Sequence, residues 1–380
     1  MPPMETLKQV TAVAAANADR VDTDGVFPSA AVDALRGSGL LGLTLPKEVG
    51  GLGAGPLQFT EVVRELATAC GSTAMIYLMH AVAAVSVAAA PPTGMADLLP
   101  AMASGEALGS LAFSEKGSRS HFWAPVSTAA LSADGESVKL RADKSWVTSA
   151  GYADVYVVSA GSTSGIAGEV DLFALPSSTA GLSVIAPFTG MGLRGNASSP
   201  MTIDTTVPTT ARLGEQGAGF GLMMQTVLPW FNLGNAAVSL GLASAAYTAT
   251  IAHVSSARLD HIGESLSALP TIRAQIARMG TTLTAQQAYL DRAAERVHAP
   301  DVDTPTYVLG IKAAANDAAL AITESAMRVC GGAAFSKHLP IERAFRDARA
   351  GAVMAPTADV LYDFYGKSIT GIPLFQRGGN

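Results

Sequence analysis

Phe113-Ser114-Glu115-Lys116-Gly117-Ser118-Arg119-Ser120-His121 and Lys144-Ser145-Trp146-Val147-Thr148-Ser149 are the two stretches whose reading decides the fold. Both lie in a region, residues 111–210, of short alternating segments rich in Val, Ser and Thr, such as Val138-Lys139-Leu140-Arg141-Ala142 and Asp154-Val155-Tyr156-Val157-Val158. Turn clusters at Ala133-Asp134-Gly135 and Ser162-Thr163-Ser164-Gly165 separate these segments, which predicts a small β-barrel or sandwich. Upstream, residues 7–108 carry apolar residues at three- and four-residue spacing, broken at Gly37-Ser38-Gly39 and Gly50-Gly51-Leu52-Gly53. Downstream of the glycine-rich stretch 214–219, helical periodicity returns in three long segments: 220 to about 257, 270 to about 297, and 305 to about 329. They read as a bundle of antiparallel helices. Pro270 and Pro305 suit first-turn positions, whereas Pro229 predicts a kink or a later start for its helix. The chain divides into a helical domain (1–108), a middle β domain (109–218) and a helical bundle domain (219–380), an α+β class.

The 380 residues are 49% hydrophobic and 15% charged, enough to bury a large core in two or three subdomains. The low charge and a mean hydropathy of +0.30 predict apolar surface buried between subunits, hence an oligomer. A net charge of −6 argues against nucleic acid as a partner, because no basic stripe is present to displace counterions. Cys70 and Cys330 make no disulfide framework and point to a reducing cytoplasm. Residues 1–16 lack the pattern of a secretory signal. The apolar run 74–90 contains His80 and ends at Pro91-Pro92, which reads as a buried helix with Ser72 or Thr73 as its cap, not a membrane span. The scattered histidines suggest no metal site, and no P-loop or Gly-x-Gly-x-x-Gly after a strand is present.

The two opening stretches resemble the flavin-holding segments of the acyl-CoA dehydrogenase superfamily, which read Leu-Thr-Glu-Pro-Gly-Ala-Gly-Ser-Asp and Lys-x-Trp-Ile-Thr-Asn. Three more segments resemble family signatures in the same order: the loop 39–53, Gly190-Met191-Gly192-Leu193-Arg194-Gly195, and Leu213-Gly214-Glu215-Gln216-Gly217-Ala218-Gly219-Phe220. The resemblance implies an N-terminal helical domain, a middle β-barrel domain, a C-terminal four-helix bundle, and FAD as cofactor. By register it gives the contacts to flavin ring and pyrophosphate to Phe113, Ser114, Arg119, Ser120, Trp146 and Thr148. Arg328-Val329-Cys330-Gly331-Gly332 resembles the family's Gln-x-x-Gly-Gly turn, which touches the FAD of a neighbouring subunit in the homo-oligomer. Arg328 stands where glutamine is usual, and a guanidinium suits phosphate oxygens. Gly331 and Gly332 permit close backbone approach. Arg258, displaced by one residue from the family's Arg-x-x-Phe-Gly, is a second such contact, and Thr357 matches a threonine that touches the flavin. Implied partners are a small-molecule CoA thioester, further copies in a homodimer or homotetramer, and a flavin reductase or electron-transfer protein.

One part of the pattern is missing. Family dehydrogenases remove the α-proton of an acyl thioester with a glutamate nine residues after the arginine of an Arg-Asp-Ala motif, while hydride passes to the flavin. Here the motif is Arg346-Asp347-Ala348-Arg349, and the ninth residue is Ala355. Some relatives carry the base on the first C-terminal helix, but Leu228-Pro229-Trp230-Phe231-Asn232-Leu233 holds no carboxylate. General-base catalysis contributes about 10²- to 10⁴-fold, so the resemblance predicts something other than simple desaturation. Asp359 and Asp363, one and two turns beyond Ala355 and on one helix face, are replacement bases or members of ion pairs and caps. His121, in the place of the signature aspartate, is a catalytic candidate that hydrogen-bonds a flavin oxygen or a peroxide, or is structural. His80 is catalytic beside the acyl pocket or a satisfied core histidine. The reading is a FAD-dependent oxidoreductase acting as a monooxygenase on an acyl-CoA or related small molecule. Its alternatives are an acyl-CoA dehydrogenase with a displaced base and a non-catalytic flavin-binding scaffold.

Overall fold

The computed structural model describes residues 4–119 and 121–375. Five helices come first: α1 (Met4–Asp24), α2 (Ser29–Ser38), α3 (Pro56–Ala69), α4 (Gly71–Ala89) and α5 (Leu98–Ser104). Helix α2 stops at the expected glycine, since Gly39 takes the left-handed conformation with φ 74°. Helix α4 is apolar and buried on nearly every face, as a helix without a polar stripe must be. It is long and apolar enough to cross a membrane, yet lies inside the molecule. No side chain caps it; Ser72 Oγ instead accepts the Gly195 N–H at 3.1 Å, tying the helix to the β domain.

The middle domain contains β1 (Gly109–Ala112), β2 (Thr128–Leu131), β3 (Ser137–Val147), β4 (Val155–Gly161), β5 (Val170–Pro176), β6 (Leu182–Val184) and β7 (Ser199–Pro208). They form two sheets, β1-β4-β5 and β2-β3-β7-β6, rather than one closed barrel. Between the sheets, Val138, Leu140, Tyr156, Val158, Phe173 and Ile203 form a core of their own. Strands β4 and β5 are buried on both faces because their other residues, Val155, Val157, Leu172 and Ala174, join the helical core. Strand β7 faces its core on one side only and alternates.

The remainder is α6 (Gly219–Leu222), a π-helical turn (Met223–Val227), α7 (Leu228–Ser256), the hairpin β8 (Arg258–Leu259) and β9 (Glu264–Ser265), α8 (Pro270–His298), α9 (Thr304–Cys330), α10 (Gly332–Phe335), α11 (Ile341–Val353) and α12 (Ala358–Thr370). Pro270 and Pro305 sit in first turns. Pro229 also opens an α-helix, because the wider π turn before it absorbs the missing N–H. Helices α3 and α7 approach closely at Gly241, where a Cβ would stand 2.4 Å from the Arg64 carbonyl. Cys70 and Cys330 are buried and free.

Candidate active site

The two opening stretches meet. Ser145 N–H donates to Ser114 O at 2.8 Å, and the Lys144 ammonium forms an ion pair with Glu115 in which both side chains are buried. Glu115 Oε2 also accepts the N–H groups of Val126 and Ser127 at 2.6 and 2.9 Å, while Lys144 donates to Ser159 O at 2.6 Å. Burial pulls the Lys144 pKa down to about 8 against the pull of Glu115.

Beyond Lys144 the register of β3 shifts at a bulge, and Trp146 adopts a left-handed φ of 54°. Bulges re-aim side chains next to sites, and here the indole is left 66% exposed on the wall of a cavity of about 1120 Å³. Thr148 lies on the same wall, its Oγ1 3.1 Å from Ser198 Oγ. Phe113, Ser114 and Arg119 complete this end. An exposed indole, the hydroxyls of Ser114 and Thr148 in the lining and a cavity of this size fit a flavin. Ser120 lies outside the described residues.

Helices close the other end. Met75 and Met79 come from α4, Val227 and Phe231 from the π turn and α7, and Val353, Met354 and Ala355 from the end of α11. Ala355, at one seat of the family's base, and Phe231, from the stretch 228–233 that carries the other, therefore both line this end of the cavity. Among the described lining residues Glu115 is the only carboxylate, and there is no histidine.

The Arg346-Asp347 motif builds this wall. Arg346 grips Asp22 of α1 at 2.5 and 2.8 Å, pairs with Glu342, and donates to Met191 O at 2.9 Å. Buried Asp347 accepts the Leu193 N–H at 2.6 Å, and burial raises its pKa to about 6. Helix α11 is thereby fixed to the loop carrying Gly192 and Leu193, so that the position nine residues after Arg346 faces the cavity.

The expected catalytic residues lie elsewhere. His80 is fully buried: Nδ1 accepts the Gly109 N–H at 2.9 Å, and Nε2–H donates to Leu41 O at 3.0 Å. Desolvation lowers its pKa to about 4, so it is a neutral link between domains and not a catalytic group. Asp359 is exposed in the first turn of α12 and off the cavity wall. Asp363 is also exposed and pairs with Lys367 at 2.7 Å. His121 is exposed beside the Trp123 ring, at 5.1 Å, and does not line the cavity. Thr357 is the residue that precedes α12. Arg258, whose guanidinium donates to Gly263 O at 2.7 Å, and Arg328, Gly331 and Gly332 are exposed outside the cavity. Sequence reading passed over Phe188, whose ring meets Trp146 edge-on at 6.5 Å, and buried Lys312, discussed below. Neither sits in a recognisable motif. Among the described residues no His, Cys, Asp and Glu cluster suits a metal ion.

Three family models match in order: the acyl-CoA dehydrogenase N-terminal domain over residues 5–106, the middle domain over 110–206 and the C-terminal domain over 217–370. "Probable acyl-CoA dehydrogenase YngJ" of Bacillus subtilis is 30% identical over 358 residues, covering 91% of each chain. The mitochondrial short-chain specific acyl-CoA dehydrogenase of Homo sapiens is 29% identical over 350 residues, covering 90% of this chain and 83% of that one. The butyryl-CoA dehydrogenase structure from Megasphaera elsdenii superposes with a TM-score of 0.90 at 24% identity, covering 97% of each chain, which shows the same fold. The chain belongs to the acyl-CoA dehydrogenase family.

Proposed function

We propose that this chain is a FAD-dependent oxidoreductase that does not desaturate acyl-CoA with a protein carboxylate, and that it acts as a flavin-dependent oxygenase on a CoA thioester or related small molecule. The observation that carries this reading is the shared apolar wall of Ala355 and Phe231, in a cavity whose one lining carboxylate is buried in an ion pair. FAD is the cofactor, and when bound it supplies a two-electron acceptor that, once reduced, can deliver electrons to oxygen. Trp146, Thr148, Phe113, Ser114 and Arg119, which line the cavity, would hold the flavin. Met75, Met79 and Phe231 exclude water from the reacting end, where no side chain among the described lining residues is free to take up an α-proton. Reducing equivalents come from a flavin reductase or electron-transfer protein. Arg258, Arg328, Gly331 and Gly332, exposed in the single chain, face the flavin of a second copy in a homodimer or homotetramer.

The relatives' names favour a second reading, acyl-CoA dehydrogenation. It requires a base other than Asp359 or Asp363, given their exposure. Photoreduced protein mixed with ¹⁸O₂ and butyryl-CoA, with the thioester pool analysed by mass spectrometry, separates the two. Label in the acyl group supports the oxygenase, whereas peroxide as the sole oxygen product argues against it.

A further inference from the structure

Lys312 of α9 is fully buried, and the sites described so far do not use it. Its Nζ donates to three backbone carbonyls: Gly351 at 2.9 Å, Met354 at 3.1 Å and Pro356 at 2.9 Å. No carboxylate lies within ion-pair distance of it among the described residues. Burying a cation costs several kcal/mol unless polar groups replace its water, and here the carbonyl dipoles at a helix end take that part.

Those carbonyls need a donor. Helix α11 ends at Val353, and the last carbonyls of a helix have no partner within it. Cationic side chains are favoured at that negative end. Asn316, one turn beyond Lys312, adds a bond from Nδ2 to Gly351 O at 2.9 Å and is itself held by Ser239 Oγ at 2.7 Å. Gly351 leaves room for this arrangement, since a Cβ there would stand 2.5 Å from Asn316 Oδ1 and 2.7 Å from Ser239 Oγ. The segment so gathered carries Met354 and Ala355 on the cavity wall.

We propose that Lys312 is a positioning residue for this site: by gathering the carbonyls of Gly351, Met354 and Pro356 it fixes the wall at Ala355, the seat of the family's base. An ammonium can serve three acceptors from one point, which no uncharged side chain of similar length does. Burial draws the Lys312 pKa down to about 7, and the three carbonyls stand where they can hold its ammonium form. The inference rests on this cavity being the substrate site and is independent of which oxidation occurs there.

The test compares wild type, Lys312→Met and Asn316→Ala, all with flavin bound. Amide hydrogen exchange is read for residues 351–358, and butyryl-CoA binding by its perturbation of the flavin spectrum. Lys312→Met is expected to keep its flavin, to exchange this segment at least tenfold faster with the rest of the chain unchanged, and to bind butyryl-CoA at least tenfold more weakly. Asn316→Ala, which loses one of the bonds to Gly351 O, shifts both by less than threefold. Unchanged exchange in this segment, or a rise spread evenly over the chain, overturns the assignment and makes Lys312 an ordinary core residue. If Lys312→Met does not fold, Lys312→Gln serves: intermediate exchange supports the proposal and wild-type exchange refutes it. Should the wild type not bind butyryl-CoA, the substrate reading fails, while the exchange comparison still decides the role of Lys312.

Discussion

Glu115 and Lys144 form an ion pair withdrawn from solvent, and it joins the two stretches that make the flavin end of the cavity. A bridge between the same residues pairs their backbones. With four further hydrogen bonds, from Val126 and Ser127 to Glu115 and from Lys144 to Ser159 O and Oγ, all three ammonium N–H groups and both carboxylate oxygens have partners. The one carboxylate among the described lining residues is thus structural, and none of them is a free carboxylate.

Breaking that pair from one side leaves a buried charge. Lys144→Met is expected to cost about 3–5 kcal/mol, measured by urea denaturation with flavin content followed in parallel. Glu115→Gln combined with Lys144→Met recovers much of the loss, because neither charge is then stranded. A single-variant loss below about 1 kcal/mol contradicts the assignment.

His80→Phe strands the Gly109 N–H and the Leu41 carbonyl. Each unsatisfied buried group costs about 1–3 kcal/mol, so stability falls while flavin content and turnover per bound flavin hold. Lost turnover in a variant of unchanged stability would restore a catalytic role for this histidine.

Trp146→Ala with Thr148→Ala removes the exposed ring and a hydroxyl from the cavity wall. Flavin affinity is expected to fall at least tenfold, about 1.4 kcal/mol, by equilibrium dialysis. Full wild-type flavin retention would place the cofactor elsewhere.

Asp347 gives the protein a pH dependence. Its folded pKa, raised to about 6 by burial, exceeds the unfolded value of about 3.9. Stability tied to its proton is complete below about pH 4 and lost as pH rises through 6. Asp347→Asn keeps an acceptor for the Leu193 N–H, so relative to wild type it gains on the order of 1–3 kcal/mol between pH 4 and 7. The difference in unfolding free energy across that range is the readout, and a flat difference excludes Asp347. Lys312, depressed to about 7, has the opposite slope: its contribution is complete above about pH 10.4 and is lost as pH falls through 7.

The order of helices and strands was legible because periodicity changes at residues near 109 and 219, and prolines 229, 270 and 305 mark helix starts. The family resemblance placed the seat of the missing base at Ala355, and Ala355 reaches the cavity, as does Phe231 from the stretch 228–233. The roles of single histidines and aspartates were not. A lone His80 in an apolar helix reads the same whether its nitrogens meet substrate or two backbone groups, and only the third dimension supplies Leu41 and Gly109. Lys312 escaped notice for a similar reason: its partners are backbone atoms some forty residues away, which no side-chain pattern announces.

Neither Ala355 nor the stretch 228–233 places a carboxylate on the cavity wall, and anaerobic mixing with butyryl-CoA reads the consequence. The wild type should leave the flavin absorbance near 450 nm (roughly the oxidised band) unbleached, because no side chain accepts the α-proton. Ala355→Glu, which puts a carboxylate on the same wall, should gain slow bleaching. Rapid bleaching by the wild type would contradict the account, since it requires a working base that the described cavity wall does not hold.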